Sequence, residues 1–202
     1  MGYFQKFLFN TAEERQRLSN AIDFWDSIPR YSVTRRQQNL LRDEKTGTLP
    51  KHVLTFCYKG ETFRVEISPA KLDVVNDGGV TVVDGNSVRT MDYYPANREE
   101  LVDEALRKIA SKKSYGFMRD GKPHEISGVV FTLYELMAEL SETGHEFSYR
   151  QLIESLTILN SSQIKIYKED GKKKDTGLIS SSYLPVLVEV TRSKYISDPS
   201  SK

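Results

Sequence analysis

One stretch, residues 127–190, constrains the fold of this chain more than any other. It reads SGVVFTLYELMAELSETGHEFSYRQLIESLTILNSSQIKIYKEDGKKKDTGLISSSYLPVLVEV. Thr132 with Glu135 three residues on forms a capping box, which opens a helix by satisfying two free backbone N–H groups. Leu133, Leu136, Met137 and Leu140 supply its apolar face, and Gly144 ends it. Ser148 with Gln151 opens a second helix, with Leu152, Ile153, Leu156 and Leu159 inward. Its outward residues are read as Tyr149, Arg150, Glu154, Ser155 and Thr157. Ile164 and Ile166 then alternate with Lys165 and Tyr167 as a strand. Lys172, Lys173 and Lys174 sit at a turn between Asp170-Gly171 and Asp175, and Leu178 to Val190 returns as a second strand. Helix, short turn, helix, hairpin is the order a winged helix requires. The expected fold class is therefore α+β, a winged helix with N-terminal helices and an additional β-hairpin region.

The preceding residues elaborate that module. A capping box at Thr11 and Glu14 opens a helix over 11–28, with Leu18, Ala21, Ile22, Trp25 and Ile28 on one face and Pro29 as its stop. Ser32 or Thr34 caps a short second helix with Leu40 and Leu41 inward, and Arg35, Arg36, Gln37, Gln38, Asn39 and Arg42 on the other face. Those arginines suit phosphate contacts and suit plain solvent exposure equally. Residues 52–68 alternate strictly around Lys59-Gly60-Glu61, which predicts a β-hairpin with Cys57 in the core or half-buried. Short strands are expected at 80–83 and 88–91 around Asp84-Gly85-Asn86. Asn97 and Glu100 cap a helix to Ala110, with Leu101, Val102, Ala105, Leu106 and Ile109 as its buried stripe. The acidic Glu99, Glu100, Asp103 and Glu104 in its first half complement the helix dipole. Asp120-Gly121 is a turn and His124 an exposed loop residue. The domain reading is an N-terminal helical region at 1–51, a winged-helix domain at 52–196 with a β-rich insertion at 52–94, and a tail at 197–202.

Composition excludes more than it identifies. The 202 residues are 38% hydrophobic, enough for a core, and no apolar run approaches the ~18 residues of a membrane span. The opening MGYFQKFLFN lacks the features of a signal peptide. A single cysteine precludes an internal disulfide framework and fits a cytoplasmic location. Three histidines far apart, no metal-ligand spacing and no phosphate-binding loop argue against an enzyme, and no cofactor or metal is expected. Net charge is only +1, but residues 1–60 hold ten Lys/Arg against six Asp/Glu, residues 61–160 hold 11 against 17, and residues 161–195 hold seven against four. Basic ends around an acidic middle are compatible with one basic face, or with ordinary solvated surfaces.

FWDSIPRYSVTRRQ (24–37), YYPANREELVDEALRKIA (93–110) and SGVVFTLYELMAELSETGHEFSYRQLIESLTILNSSQIKIY (127–167) resemble the replication initiator (Rep) proteins of bacterial plasmids. The resemblance runs from about Phe24 to Tyr195 and lies in whole phrases rather than in a catalytic signature. It implies a protein that binds double-stranded origin DNA, forms a homodimer and recruits host replication proteins. It also implies two winged-helix domains, the first for dimerisation and DNA-backbone contact and the second for base reading. Only one such module is visible here, so the chain is expected to be an N-terminal fragment or a shortened natural protein. The candidate DNA contacts are Arg35, Arg36, Arg150, Ser155, Lys165, Lys172, Lys173 and Lys174, acting by charge and hydrogen bonding. The competing reading is a structural self-association module, or a transcriptional regulator without origin binding of its own.

Overall fold

The structure, a computed structural model, describes residues 2–6, 24–76, 79–112, 116–118, 125–169, 176–185 and 187–190. It is mixed helix and strand, with antiparallel sheets. In chain order come β1 (Gly2–Lys6), α1 (Arg35–Leu41), the hairpin β2 (His52–Tyr58) and β3 (Glu61–Ser68), and β4 (Ala70–Asp73). Next are the two-residue strands β5 (Val83–Asp84) and β6 (Ser87–Val88), then β7 (Thr90–Tyr93) and α2 (Asn97–Lys112). β8 (Gly116–Met118) and β9 (Glu125–Thr132) lead to α3 (Leu133–Glu142) and α4 (Tyr149–Ser161). The chain continues with β10 (Gln163–Lys168), β11 (Thr176–Ser182) and β12 (Leu187–Val190). Residues 24–27 are helical, and the rest of the helix expected at 11–28 lies outside the described residues. So do the expected Asp120-Gly121 turn, His124 and Lys172 to Lys174.

The chain divides into two compact units. The first comprises 1–26, 100–154 and 184–202; the second comprises 27–99 and 155–183. The first is built on a sheet of order β12-β1-β9-β8. β1 and β9 are its inner strands, and Tyr3 of β1 lies opposite Phe131 on one side and Glu189 on the other. Its core is Val102, Ala105, Leu106 and Ile109 of α2, Val129 and Phe131 of β9, Leu133, Leu136 and Leu140 of α3, and Leu152. Each large aliphatic side chain so buried contributes about 1.5–3 kcal/mol. The capping box at Thr132 and Glu135 is present. At the other end of α3, Gly144 N–H donates to Ser141 O and His145 N–H to Leu140 O, which closes the helix as a Schellman motif. Ser148 and Gln151 cap α4 as expected.

The second unit carries the sheet β11-β10-β3-β2. Phe63, Val65 and Ile67 of β3 and Ile164 and Ile166 of β10 are buried, and the residues between them are not. This is the two-residue alternation of a sheet with one buried face. β4 pairs with β7, and β5 with β6. The loop after α1 is fixed by Asp43, whose Oδ1 accepts from Lys45 N, Thr46 N and Thr46 Oγ1 at 2.8–3.0 Å. Gly47 O then accepts from Asp92 N at 2.9 Å, and Asp92 Oδ2 accepts from Leu49 N at 3.1 Å.

Several elements differ from expectation. Thr34 does cap α1, with Gln37 completing the box, but Leu40 and Leu41 are exposed and Gln38 is the buried residue. Gln38 is preferred because its amide matches a peptide group: Nε2 donates to Tyr94 O at 2.9 Å and Oε1 accepts from Tyr94 N at 3.1 Å. A leucine there would leave both groups unpaired. Ile153 of α4 points outward, while Ile158 is fully buried. Cys57 is exposed because β2 is an edge strand whose odd-numbered residues face away from the core. The strand expected over 178–190 is two: β11 ends at Ser182, and β12 pairs with β1. The cap of α2 lies one residue earlier than expected, at Ala96, whose N–H donates to Glu99 Oε2 at 2.9 Å.

Two glycines of positive φ should differ in tolerance. A Cβ at Gly47 (φ +71°) would stand 2.9 Å from the Thr90 carbonyl oxygen, whereas one at Gly60 (φ +80°) meets nothing within 4 Å. Gly60→Ala is expected to cost about 1 kcal/mol of unfolding free energy, and Gly47→Ala about 2 kcal/mol or more, measured by urea denaturation.

Candidate nucleic-acid interface

The candidate DNA contacts fall into three groups. Arg36 on α1 and Arg150 in the first turn of α4 are exposed. Lys165 is half-exposed on β10, opposite Glu66 of β3 and Ser180 of β11. Lys172, Lys173 and Lys174 lie outside the described residues. Arg35 and Ser155 serve a different purpose from the one expected.

That purpose is Glu99, which has no solvent exposure. Ser155 is fully buried too, and its hydroxyl donates to Glu99 Oε1 at 2.9 Å. Arg35 donates a guanidinium N–H to the same oxygen at 2.8 Å, and Arg98 Nε does so at 3.1 Å. With the Ala96 N–H on Oε2, both carboxylate oxygens are satisfied. Arg35 also lies over the Tyr93 ring at 5.0 Å, and Arg42 lies over the same ring at the same distance. Ser155 is therefore not an outward residue of α4. It lies on the stripe of Leu152, Leu156 and Leu159 at helical spacing, and that spacing was the available signal. Glu99 is the third residue of the helix that Ala96 caps. Reading the acidic quartet as dipole complementarity alone missed the one member that is wholly buried.

Division into units changes the charge picture. The second unit holds 16 Lys/Arg against 12 Asp/Glu, a net of +4; the first holds 13 against 16, a net of −3. The basic unit contains α1, the β2–β3 hairpin and the lysine-rich segment between β10 and β11. In the acidic unit, α2 and α3 are tied through Glu139, which pairs with Lys108 and with Lys112 Nζ at 2.6 Å. Hydrogen bonds from Lys108 first, then Lys112, hold the Glu139 carboxyl below its ordinary range. Burial pushes the Tyr94 hydroxyl up to about 12, with Asp92 adding to the shift, and this hydroxyl donates to Pro50 O. Among the described residues no three His, Cys, Asp or Glu side chains gather as metal ligands. No described helix is long and apolar enough to cross a membrane. Comparison with family models, curated proteins and solved structures finds no match for this chain.

The Glu99 cluster and His52 each generate a test. Glu99→Gln leaves Arg35 and Arg98 without their carboxylate and is expected to lower stability by about 3 kcal/mol, while Ser155→Ala lowers it by about 1 kcal/mol. Both losses are measured by urea denaturation, and an unchanged midpoint for Ser155→Ala would mean that its hydrogen bond to Glu99 adds nothing to stability.

His52 is half-buried, and burial holds its imidazole below the ordinary value of 6.5. The unfolded chain then takes up a proton before the folded one does. Its contribution to stability is complete above pH 6.5 and is lost as pH falls through the lowered folded value. His52→Gln should flatten the change in urea midpoint between pH 7.5 and 5.5 relative to the unaltered protein.

Proposed function

We propose that the chain is the N-terminal winged-helix part of a plasmid replication initiator, gripping the DNA backbone and self-associating. The observation that carries the reading is the succession α3, Schellman turn, α4, β10 and β11, each with the caps its sequence calls for. In this reading α4 is the second helix of a helix–turn–helix, and the β10–β11 hairpin is the wing. The wing is elaborated, because β10 has β3 as its other neighbour and so joins a four-stranded sheet. Arg150 at the start of α4 is then the base- or phosphate-facing cation of that helix. Arg36, Lys165 and the three lysines of the wing tip supply charge in the basic unit. The function is binding and not catalysis, and the setting is the cytoplasm, where host replication proteins are recruited.

A specific observation favours the second reading, a self-association module with little DNA affinity. Arg35 and Ser155, two of the eight nominated contacts, serve the Glu99 cluster. The two readings separate on a mixed-sequence duplex of ~30 base pairs, since backbone contacts ignore sequence. The DNA reading expects measurable binding at 50 mM salt with log Kd rising linearly in log salt concentration. Replacing Lys172, Lys173 and Lys174 together by Ala should flatten that slope by about 0.9 for each lysine that meets a phosphate. No binding at low salt removes the DNA reading, and an unchanged slope removes the wing assignment.

A further inference from the structure

β2 is the outer strand of the basic unit's sheet, and among the described residues only β3 pairs with it. The turn at Lys59-Gly60, with φ of +49° and +80°, closes the hairpin onto the pair Tyr58 and Glu61. In such a hairpin the pair flanking the turn exchanges both backbone hydrogen bonds, and every second residue repeats this. Tyr58, Phe56, Leu54 and His52 therefore direct their N–H and C=O groups towards β3. Val53, Thr55 and Cys57 direct theirs outward, as a row of donors and acceptors that another strand can complete.

Two observations describe the strand that would fit there. The first is the state of the core. Phe63, Val65 and Ile67 of β3 are buried, whereas Leu54 and Phe56 beside them on the same face of β2 are only half-buried. The apolar layer under the sheet thus ends partway across β2, and apolar side chains on one further strand would cover it. The second is charge. β2 carries no formal charge along its seven residues, but Lys51 and Lys59 stand just outside its two ends, both exposed. Lys51 reaches Glu66 only at 4.0 Å, Glu66 being held by Arg64 at 2.8 Å, and Lys59 lies over the Tyr58 ring at 5.1 Å. Glu61, the other carboxylate of the hairpin, pairs with Lys168 at 2.6 Å. The edge is therefore neutral in the middle and positive at both ends. Those lysines disfavour a second copy, because antiparallel pairing of two β2 strands about Thr55 sets Lys51 of each against Lys59 of the other.

We propose that β2 is the docking edge for an extended segment of a different protein, which adds a fifth strand to this four-stranded sheet and carries a carboxylate at each end. The backbone of the segment pairs with Val53, Thr55 and Cys57. Its side chains alternate. Those on the core side are apolar and cover Leu54 and Phe56, where Phe56 already stacks on Phe63 at 5.4 Å. Those on the solvent side are uncharged and β-branched, beside Val53, Thr55 and Cys57. Acidic residues about eight positions apart face Lys51 and Lys59. The backbone hydrogen bonds supply affinity for any extended chain, and the core-side pattern and the lysines select among chains. This goes beyond the DNA-backbone and self-association readings and depends on neither.

The probe is a capped nonapeptide that alternates threonine and valine between two terminal glutamates, titrated into the full chain without DNA. Amide hydrogen exchange followed by NMR reads the edge residue by residue. Exchange at Val53, Thr55 and Cys57 should slow by about tenfold at ~1 mM free peptide, the factor for a dissociation constant of ~0.1 mM. Leu54 and Phe56, already paired with β3, should change little. The same peptide ended in lysines should bind about tenfold more weakly. Lys51→Glu with Lys59→Glu should reverse that preference, and both positions are on the surface, so the fold is kept. Thr55→Pro removes an N–H that β3 does not use, so it should keep the fold by circular dichroism and lose the peptide. No protection at that concentration overturns the proposal, as does binding that leaves Val53, Thr55 and Cys57 unprotected or that ignores the end charges. Protection of those three amides that grows with protein concentration in the absence of peptide means that a second copy fills the edge, and overturns it too. The DNA reading is decided separately by the salt titration.

Discussion

A carboxylate shut away from water is costly unless every lone pair finds a donor, and Glu99 is such a carboxylate. Four donors converge on it from separated parts of the chain: Arg35 of α1, the Ala96 backbone, the neighbouring Arg98, and Ser155 of α4. Each donor restricts where its own element can lie. The start of α2, the first residue of α1 and the middle of α4 are thereby fixed to a common point within the basic unit. Hydrophobic contacts alone would tolerate sliding of these elements; a four-donor carboxylate does not. Removing any one partner would leave the others buried and unpaired, so the cluster is costly to break once formed.

The local signals in the sequence were reliable where a few neighbouring residues decide the outcome. The caps at Thr132 and Ser148, the stop at Gly144 and the alternation of 52–68 all appear as expected. What local reading could not supply was the partner of each element. Leu40 and Leu41 were expected inward by hydrophobicity, yet α1 docks through Gln38, because the surface it meets is the unpaired backbone of Tyr94 and Val33. The pairing of β3 with β10 joins residues about a hundred positions apart, and nothing near either strand announces the other. The division of 178–190 into two strands has the same origin, since β12 pairs with the N-terminal strand. For the candidate site, Arg36 and Arg150 are exposed, as their places on the outward helix faces predict. Ser155 is not, because a small hydroxyl on an apolar stripe can be buried once a carboxylate accepts its hydrogen bond.

The distribution of charge bears on how such a chain would meet DNA. A net charge near zero conceals a basic unit and an acidic one. At long range, beyond the ~8 Å over which physiological salt screens, the two nearly cancel and steering of a duplex is weak. On the proposed DNA reading, the affinity at contact would be set by how many phosphates the local cations reach.

Gln38 carries one more consequence. Its amide acts as a surrogate peptide, occupying both hydrogen-bonding groups of Tyr94 much as a neighbouring strand would. The Tyr94 amide hydrogen is therefore guarded by a side chain and not by a sheet. Its exchange with solvent deuterium reports the undocking of α1 rather than the opening of any β-ladder. A single backbone proton thus reads out, in a spectroscopic experiment, how firmly this short helix is seated.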